Sequence, residues 1–162
     1  MRRRDVGATL PELERLYRTR LAEFRRVATA IVGDPERGRD AVQEAFATAV
    51  RRRSTFRGEA PLEAWVWRIV VSRARDEARR QSPHPVVLVE AVSYGHAEGD
   101  AGLAIAIAAL TERQRLVLFL RYYADLDYAA IAETLDISPG TVGATLHAVH
   151  AGLRRILEEV PT

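Results

Sequence analysis

The sequence predicts an all-α fold of two small helical domains joined by a linker, the second domain containing a helix-turn-helix. Three observations carry this. Apolar residues recur at steps of three and four in several separate runs, and nowhere alternate with the period of two that a half-buried strand requires. Most runs are opened by residues that cap helices. Between residues 82 and 99 the periodicity stops, in a stretch holding Ser82-Pro83-His84-Pro85, the short apolar run Val86 to Val89, and Tyr94-Gly95-His96. Proline cannot continue a helix and restrains the residue before it, and a structureless stretch of this length is uncommon inside one compact domain. The predicted division is therefore residues 1–82, a linker at 83–100, and residues 101–162.

The first helix is announced by Thr9-Leu10-Pro11-Glu12: a capping threonine, a proline in the first turn and a glutamate three residues on. Leu13, Leu16, Tyr17, Leu21, Phe24, Val27, Ala28 and Ile31 form its stripe, and Gly33 ends it. Asp34-Pro35 opens the second helix as cap and first helical residue, with Ala41, Val42, Ala45, Phe46, Ala49 and Val50 facing inward. A loop from Ser54 to Ala60 follows. The third helix runs from Pro61 to about Arg80, with Leu62, Trp65, Val66, Ile69 and Val70 in the core.

In the second half, Asp100 caps a helix through Leu110, and the capping box Thr111-Glu112-Arg113-Gln114 opens another carrying Leu116, Val117, Leu120 and Tyr123. Asp127 caps a short helix with Ile131, Ala132 and Leu135. Asp136-Ile137-Ser138 is a tight turn. Ser138-Pro139 opens the last helix, with Val142, Leu146, Val149, Leu153 and Ile156 inward.

Composition narrows the function. No apolar run approaches the roughly 20 residues of a membrane span, and the basic start Met1-Arg2-Arg3-Arg4 is followed by no apolar stretch, so a secretory signal is not expected and a cytoplasmic protein is. Without cysteine there is no disulfide framework, thiolate metal site or thiol nucleophile. The net charge of +2 hides an asymmetry: residues 1–82 hold 19 arginines against 12 acids, residues 83–162 hold 5 against 10. A balance of +7 suits a polyanion or an acidic protein surface, and one of −5 does not.

No glycine-rich phosphate loop, HExxH or GxSxG occurs, so no enzyme, cofactor or metal is expected. His147 and His150 sit three apart but lack a third ligand, and are expected as surface residues. The strongest local pattern is residues 128–147, where small Ala132 lets two helices cross closely and frees the second to enter a major groove. Asp136 stands where glycine is usual and tolerates a left-handed backbone better than most residues. An ordinary helical hairpin is the plainer alternative.

These residues together resemble a bacterial RNA polymerase sigma factor of the extracytoplasmic-function type. Asp40-Ala41-Val42-Gln43-Glu44-Ala45-Phe46 is similar to that family's core-binding helix signature; the stretch AWVWRIVVSRARDEARR ending at Arg80 is similar to its minus-ten-reading helix; Leu110 to Leu153, with IAETLDIS and TVGATLH, resembles its second conserved domain. The resemblance implies that Asp40, Gln43, Glu44 and Phe46 meet the clamp helices of the polymerase largest subunit, with the flap as a further contact. It implies that the loop from Ser54 to Pro61 captures a flipped promoter base. Trp65 is expected in the core, whereas Trp67 and Phe56 are expected to be exposed for stacking on an opened strand. Arg68, Arg73, Arg75, Arg79 and Arg80 would follow its backbone, unless some only pair with Asp76 and Glu77, and Ser72 would lie on the same minus-ten-reading surface. Promoter DNA, core polymerase and an anti-sigma factor are the implied partners, with the protein on the nucleoid when in holoenzyme.

Two departures qualify the transfer. Ser72 replaces a common asparagine on the minus-ten helix. The recognition helix has Gly143, Ala144 and Thr145 where Lys, Ser and Arg are usual, leaving Ser138, Thr141, Thr145, His147 and His150 before Arg154 and Arg155. Arginine and lysine make most phosphate contacts and the commonest guanine contact, so weak upstream binding is expected. The alternative from another class is a LuxR-type helix-turn-helix regulator acting without polymerase; a third is a chain that keeps the fold but has lost promoter reading.

Overall fold

The capping signals act where the sequence places them. In the computed structural model, which describes residues 7–80 and 101–159, α1 (Leu10–Val32) starts at Thr9, whose hydroxyl accepts from the Glu12 amide while its own amide donates to the Glu12 carboxylate at 2.8 Å. The Thr9 hydroxyl also donates to that carboxylate at 2.7 Å, and the two donors, amide first, hold the Glu12 carboxyl below the usual carboxylate range. Gly33 closes α1 in the left-handed conformation, φ 84°. Asp34 then accepts from Arg37 N at 2.8 Å and Pro35 opens α2 (Pro35–Arg52), so one glycine and one aspartate turn the chain back on itself. A single 3₁₀ turn (Arg53–Thr55) and a loop lead to α3 (Leu62–Arg79).

These three helices pack on each other around Phe24, which is fully buried. Its ring lies 5.2 Å from Phe46 edge-on and 4.3 Å from Trp67, and Tyr17 meets Phe46 at 4.9 Å. Offset and edge contacts of this kind add to the area buried. At Gly38 the backbones of α1 and α2 come close: a Cβ there would stand 2.8 Å from Thr29 Cα. Only glycine fits.

The second unit holds α4 (Ala101–Ala108), α5 (Glu112–Tyr122), α6 (Tyr128–Leu135) and α7 (Pro139–Glu159). Thr111 and Gln114 form the expected capping box, and Asp127 caps α6 through Ala130 N at 2.7 Å. Asp136 takes φ 55°, ψ 50°, and its amide donates to Ala132 O, which sets the turn between α6 and α7. Leu120, Val117, Ile131, Val142 and Val149 are fully buried between these helices. Asp100 and the whole linker reading, with its prolines, lie outside the described residues.

The two units are in contact. α3 packs on α6 and α1 on α5, and the buried apolar residues form one continuous cluster. Two arginines of α3 and one of α1 cross this boundary. Among the described residues no helix is long and apolar enough to cross a membrane.

Candidate nucleic-acid and polymerase interface

α2 exposes Asp40, Gln43 and Glu44 together, because residues three and four apart share a helical face while Ala41, Val42 and Ala45 turn inward. Glu44 pairs with Arg51 at 3.1 Å. Phe46 is a correction: it is 8 % exposed, wedged between Tyr17 and Phe24, and holds α2 in place rather than offering a surface.

The tryptophans are the larger correction. Trp67, expected to be exposed, is fully buried against Phe24, with Nε1 donating to Glu63 Oε1 at 3.4 Å. Trp65, expected in the core, is half-buried and turns toward the loop, where its ring meets half-buried Phe56 at 5.5 Å. α3 is covered by α1, α2 and α6, so its apolar face is too wide for one stripe. Trp67, Val70, Val71 and Ala74 make a second run at steps of three, four and seven, and that run is the signal which assigns Trp67 to the core.

Around Trp65 the surface is concave. One pocket of about 380 Å³ is lined by Thr55 to Ala60, Trp65, Arg68 and Glu133. A second, of about 260 Å³, is lined by Thr48, Arg52, Trp65, Arg68, Ile69, Ser72 and Arg73. Trp65 and Arg68 belong to both, so the two pockets adjoin across one aromatic ring and one guanidinium. Gly58 bends the loop at φ 70°, where a Cβ would meet nothing within 4 Å, so glycine is required there by the backbone conformation and not by crowding. Arg52 and Arg57 join the site without having been singled out by the sequence. Farther along α3, Arg73 and Arg79 approach Asp76 at 3.7 and 3.8 Å, and Arg80 approaches Glu77 at 3.4 Å, the pairing that the sequence left as the plainer option. Pairs this exposed are weak and exchange readily for phosphate.

The helix-turn-helix presents a third concavity, of about 600 Å³, lined by Arg113, Gln114, Ser138, Thr141, Ala144 and Thr145 among others. Its hydroxyls are engaged locally: Ser138 Oγ lies 2.8 Å from Thr141 Oγ1 and accepts from Thr141 N, while Thr145 Oγ1 donates to Thr141 O. Gly143 lies beside Tyr128: a Cβ there would stand in ordinary contact with that ring at 3.4 Å. His147, Arg154 and Arg155 are exposed but do not line this concavity. His150 Nε2 lies 2.7 Å from the Tyr122 hydroxyl. Arg113 and Gln114 were missed because they sit in a capping box, where they read as helix punctuation.

Comparison with known proteins gives this arrangement a family. Sigma-70 region 2 matches residues 16–84 and sigma-70 region 4 matches residues 103–149. The chain is 31 % identical over 150 residues to the ECF RNA polymerase sigma factor SigM of Mycobacterium tuberculosis, spanning 89 % of this chain and 76 % of that protein. It is 30 % identical over 154 residues to the RNA polymerase sigma-E factor of Streptomyces antibioticus, spanning 91 % and 85 %. Among solved structures it superposes on CnrH in complex with the cytosolic domain of CnrY (TM-score 0.74, 19 % identity, 95 % of this chain and 92 % of that one). It also superposes on the sigma factor RpoE in complex with the anti-sigma factor NepR from Bartonella quintana (TM-score 0.66, 17 % identity, 94 % and 100 %). None of these matches favours a LuxR-type regulator. The two matched regions, in this order along a two-unit helical chain, place it in a family: the chain belongs to the extracytoplasmic-function sigma factors of RNA polymerase.

Proposed function

We propose that the exposed face of α2, with Asp40, Gln43 and Glu44, docks on the clamp helices of core RNA polymerase, and that the concave surface around Trp65 and Phe56 holds the opened promoter strand. The observation that carries this is the aromatic pair at the mouth of two adjoining pockets, beside Arg52, Arg57, Arg68 and Arg73. A base stacks on a ring while guanidinium groups hold its phosphates, and a nucleotide that leaves the duplex needs a cavity of this kind. The loop from Ser54 to Pro61 gives the first pocket its rim. Ser72 faces the second pocket and takes part in base preference. The helix-turn-helix unit approaches upstream duplex DNA through Thr141, Thr145 and Arg113, with weaker affinity than the first unit has for the opened strand.

No covalent chemistry is involved; specificity is a difference in binding. The protein works in the cytoplasm and is carried to the nucleoid by polymerase. Both structural neighbours are complexes with a second protein, one of them a named anti-sigma factor, which supports an anti-sigma partner here too.

Run-off transcription with core polymerase on a pooled promoter library tests the assignment. The full chain is expected to start RNA chains on a subset of templates, and the double variant Asp40→Ala/Gln43→Ala to lose polymerase binding with unchanged thermal unfolding. Polymerase binding retained by that variant refutes the docking face. A chain that binds polymerase yet starts no RNA on any template is the interaction protein that has lost promoter reading.

A further inference from the structure

One carbonyl oxygen ties the segment before α1 to the pocket around Trp65. Arg53 O, in the 3₁₀ turn after α2, accepts from Ala8 N at 2.8 Å and from Phe56 N at 3.3 Å. Ala8 is buried there, and Gly7 passes so close to the turn that a Cβ would stand 3.4 Å from both Arg53 O and Ser54 Cα. The chain entering α1 is therefore fixed beside Phe56, next to Thr55, where the pocket lining begins. Arg2, Arg3 and Arg4 lie outside the described residues, three to five positions before Gly7, with Asp5 offsetting one of their charges. At no more than about 3.6 Å per residue, their backbone stays within about 11–18 Å of Gly7 whatever its path. Within that reach the two pockets are lined by four arginines, Arg52, Arg57, Arg68 and Arg73, against two acids, Glu59 and Glu133. Further guanidinium groups are repelled from a surface of that sign unless a polyanion lies between, which selects phosphates over the protein surface as what they bind.

We propose that Arg2, Arg3 and Arg4 form a basic arm, tethered through Ala8 to the carbonyl that also seats Phe56, which binds the phosphates flanking the base held in the pocket. This rests on the assignment of the pocket around Trp65 to the opened promoter strand, and adds to it a grip on the backbone from outside the helical units. Because arm and aromatic ring hang from one turn, the grip requires the ordering of only a few residues.

The test uses holoenzyme on a promoter duplex recovered from the run-off pool, its minus-ten segment opened by mismatches. Arg3→Ala/Arg4→Ala is compared with Arg25→Ala/Arg26→Ala, which removes the same charge from the exposed face of α1 about 22 Å along the helix from Leu10. Two lost contacts to single-stranded phosphates should lower the slope of log affinity against log salt by about 1.4 and weaken binding about tenfold at 0.1 M salt. The α1 pair should change the slope by less than about 0.5. Arg3→Lys/Arg4→Lys should keep most of the affinity, since an ammonium also binds phosphate as a point charge. The chain has no cysteine, so Arg3→Cys carries a single iron chelate attached before assembly with core polymerase, and its hydroxyl-radical cuts are expected in the opened strand. Equal slopes for the two alanine pairs, a lysine pair as weak as the alanine pair, or cuts confined to upstream duplex each overturn the arm. If Trp65→Ala opens promoters as well as the parent chain, the pocket assignment has failed; a silent arm pair beside a defective Trp65→Ala overturns the arm alone.

Discussion

In the first unit, arginines stand beside aromatic rings at the mouths of two pockets; in the second, the recognition helix offers hydroxyls already bonded to their neighbours and a glycine under a tyrosine ring. Both units are three- or four-helix packings with well-formed caps, so the difference lies in what each leaves open at its surface. The first unit spends one tryptophan on its core and keeps the other for the surface. The second has engaged Ser138, Thr141 and Thr145 locally and turned two of its acids, Glu112 and Glu133, to the first unit. On the proposed function, binding strength is expected to be concentrated in the half that would meet single-stranded DNA, with the half that would meet duplex supplying position more than affinity.

The strongest way to break this comparison is to exchange the roles of the two tryptophans. Trp67→Ala empties a fully buried site against Phe24 and should cost about 3–5 kcal/mol in urea or thermal unfolding of the full chain. Trp65→Ala should cost far less stability but weaken binding of an opened strand by about 1–3 kcal/mol, read as loss of open-complex formation by holoenzyme. The reverse pattern, with Trp65 stabilising the fold and Trp67 reading DNA, is what the sequence alone predicts. Unfolding curves decide between them.

That inversion shows where sequence reading stops. Caps are local, so Thr9, Gly33, Asp34-Pro35, Thr111, Asp127 and Asp136 could be placed before any coordinates, and with them the starts of α1, α2, α5 and α6 and the turn into α7. Burial on α3 is not local. Trp65 and Trp67 both lie on apolar spacings, and which one turns inward depends on α1 and α6 packing from different sides. Phe46 lies inward as its spacing indicates; only the family signature assigned it to a surface, saying nothing about the Tyr17 and Phe24 rings around it. The Arg68–Glu133 and Arg75–Glu112 contacts join residues far apart in the chain, with no periodicity to announce them. The charge asymmetry between the halves was visible; that it is used within one molecule was not.

A second measurement sharpens the contrast through salt. Arg79 and Arg80 are exposed and, among the described residues, pair with Asp76 and Glu77, weak contacts that phosphates can replace at little cost. Replacing both with alanine should lower the slope of log affinity against log salt for holoenzyme on promoter DNA by about 1.5–2, if each contacts one phosphate. The same change at Arg154 and Arg155, exposed on α7 away from the helix-turn-helix concavity, should lower it by less than about 1. Equal losses would mean that the two units share the phosphate contacts evenly, and the division of labour would fall.

The smallest expected effect is a gain, and it tests the second unit directly. Ala144 is exposed and lines the concavity with Arg113, Thr141 and Thr145, whereas Gly143 is covered by the Tyr128 ring. A basic side chain at position 144 therefore enters the concavity, whereas one at 143 starts beside the Tyr128 ring. Ala144→Arg should strengthen holoenzyme binding to a promoter duplex by ~1 kcal/mol, the low end of a guanidinium contact in the groove. Gly143→Arg should give less, since position 143 does not line the concavity. The contact is assigned by repeating the measurement on a duplex cut short of the minus-35 position. If the gain disappears there, α7 faces upstream DNA and its poverty of readers is what limits it. If the gain persists, position 144 is acting on phosphates elsewhere, and α7 is not the helix that lies in the groove.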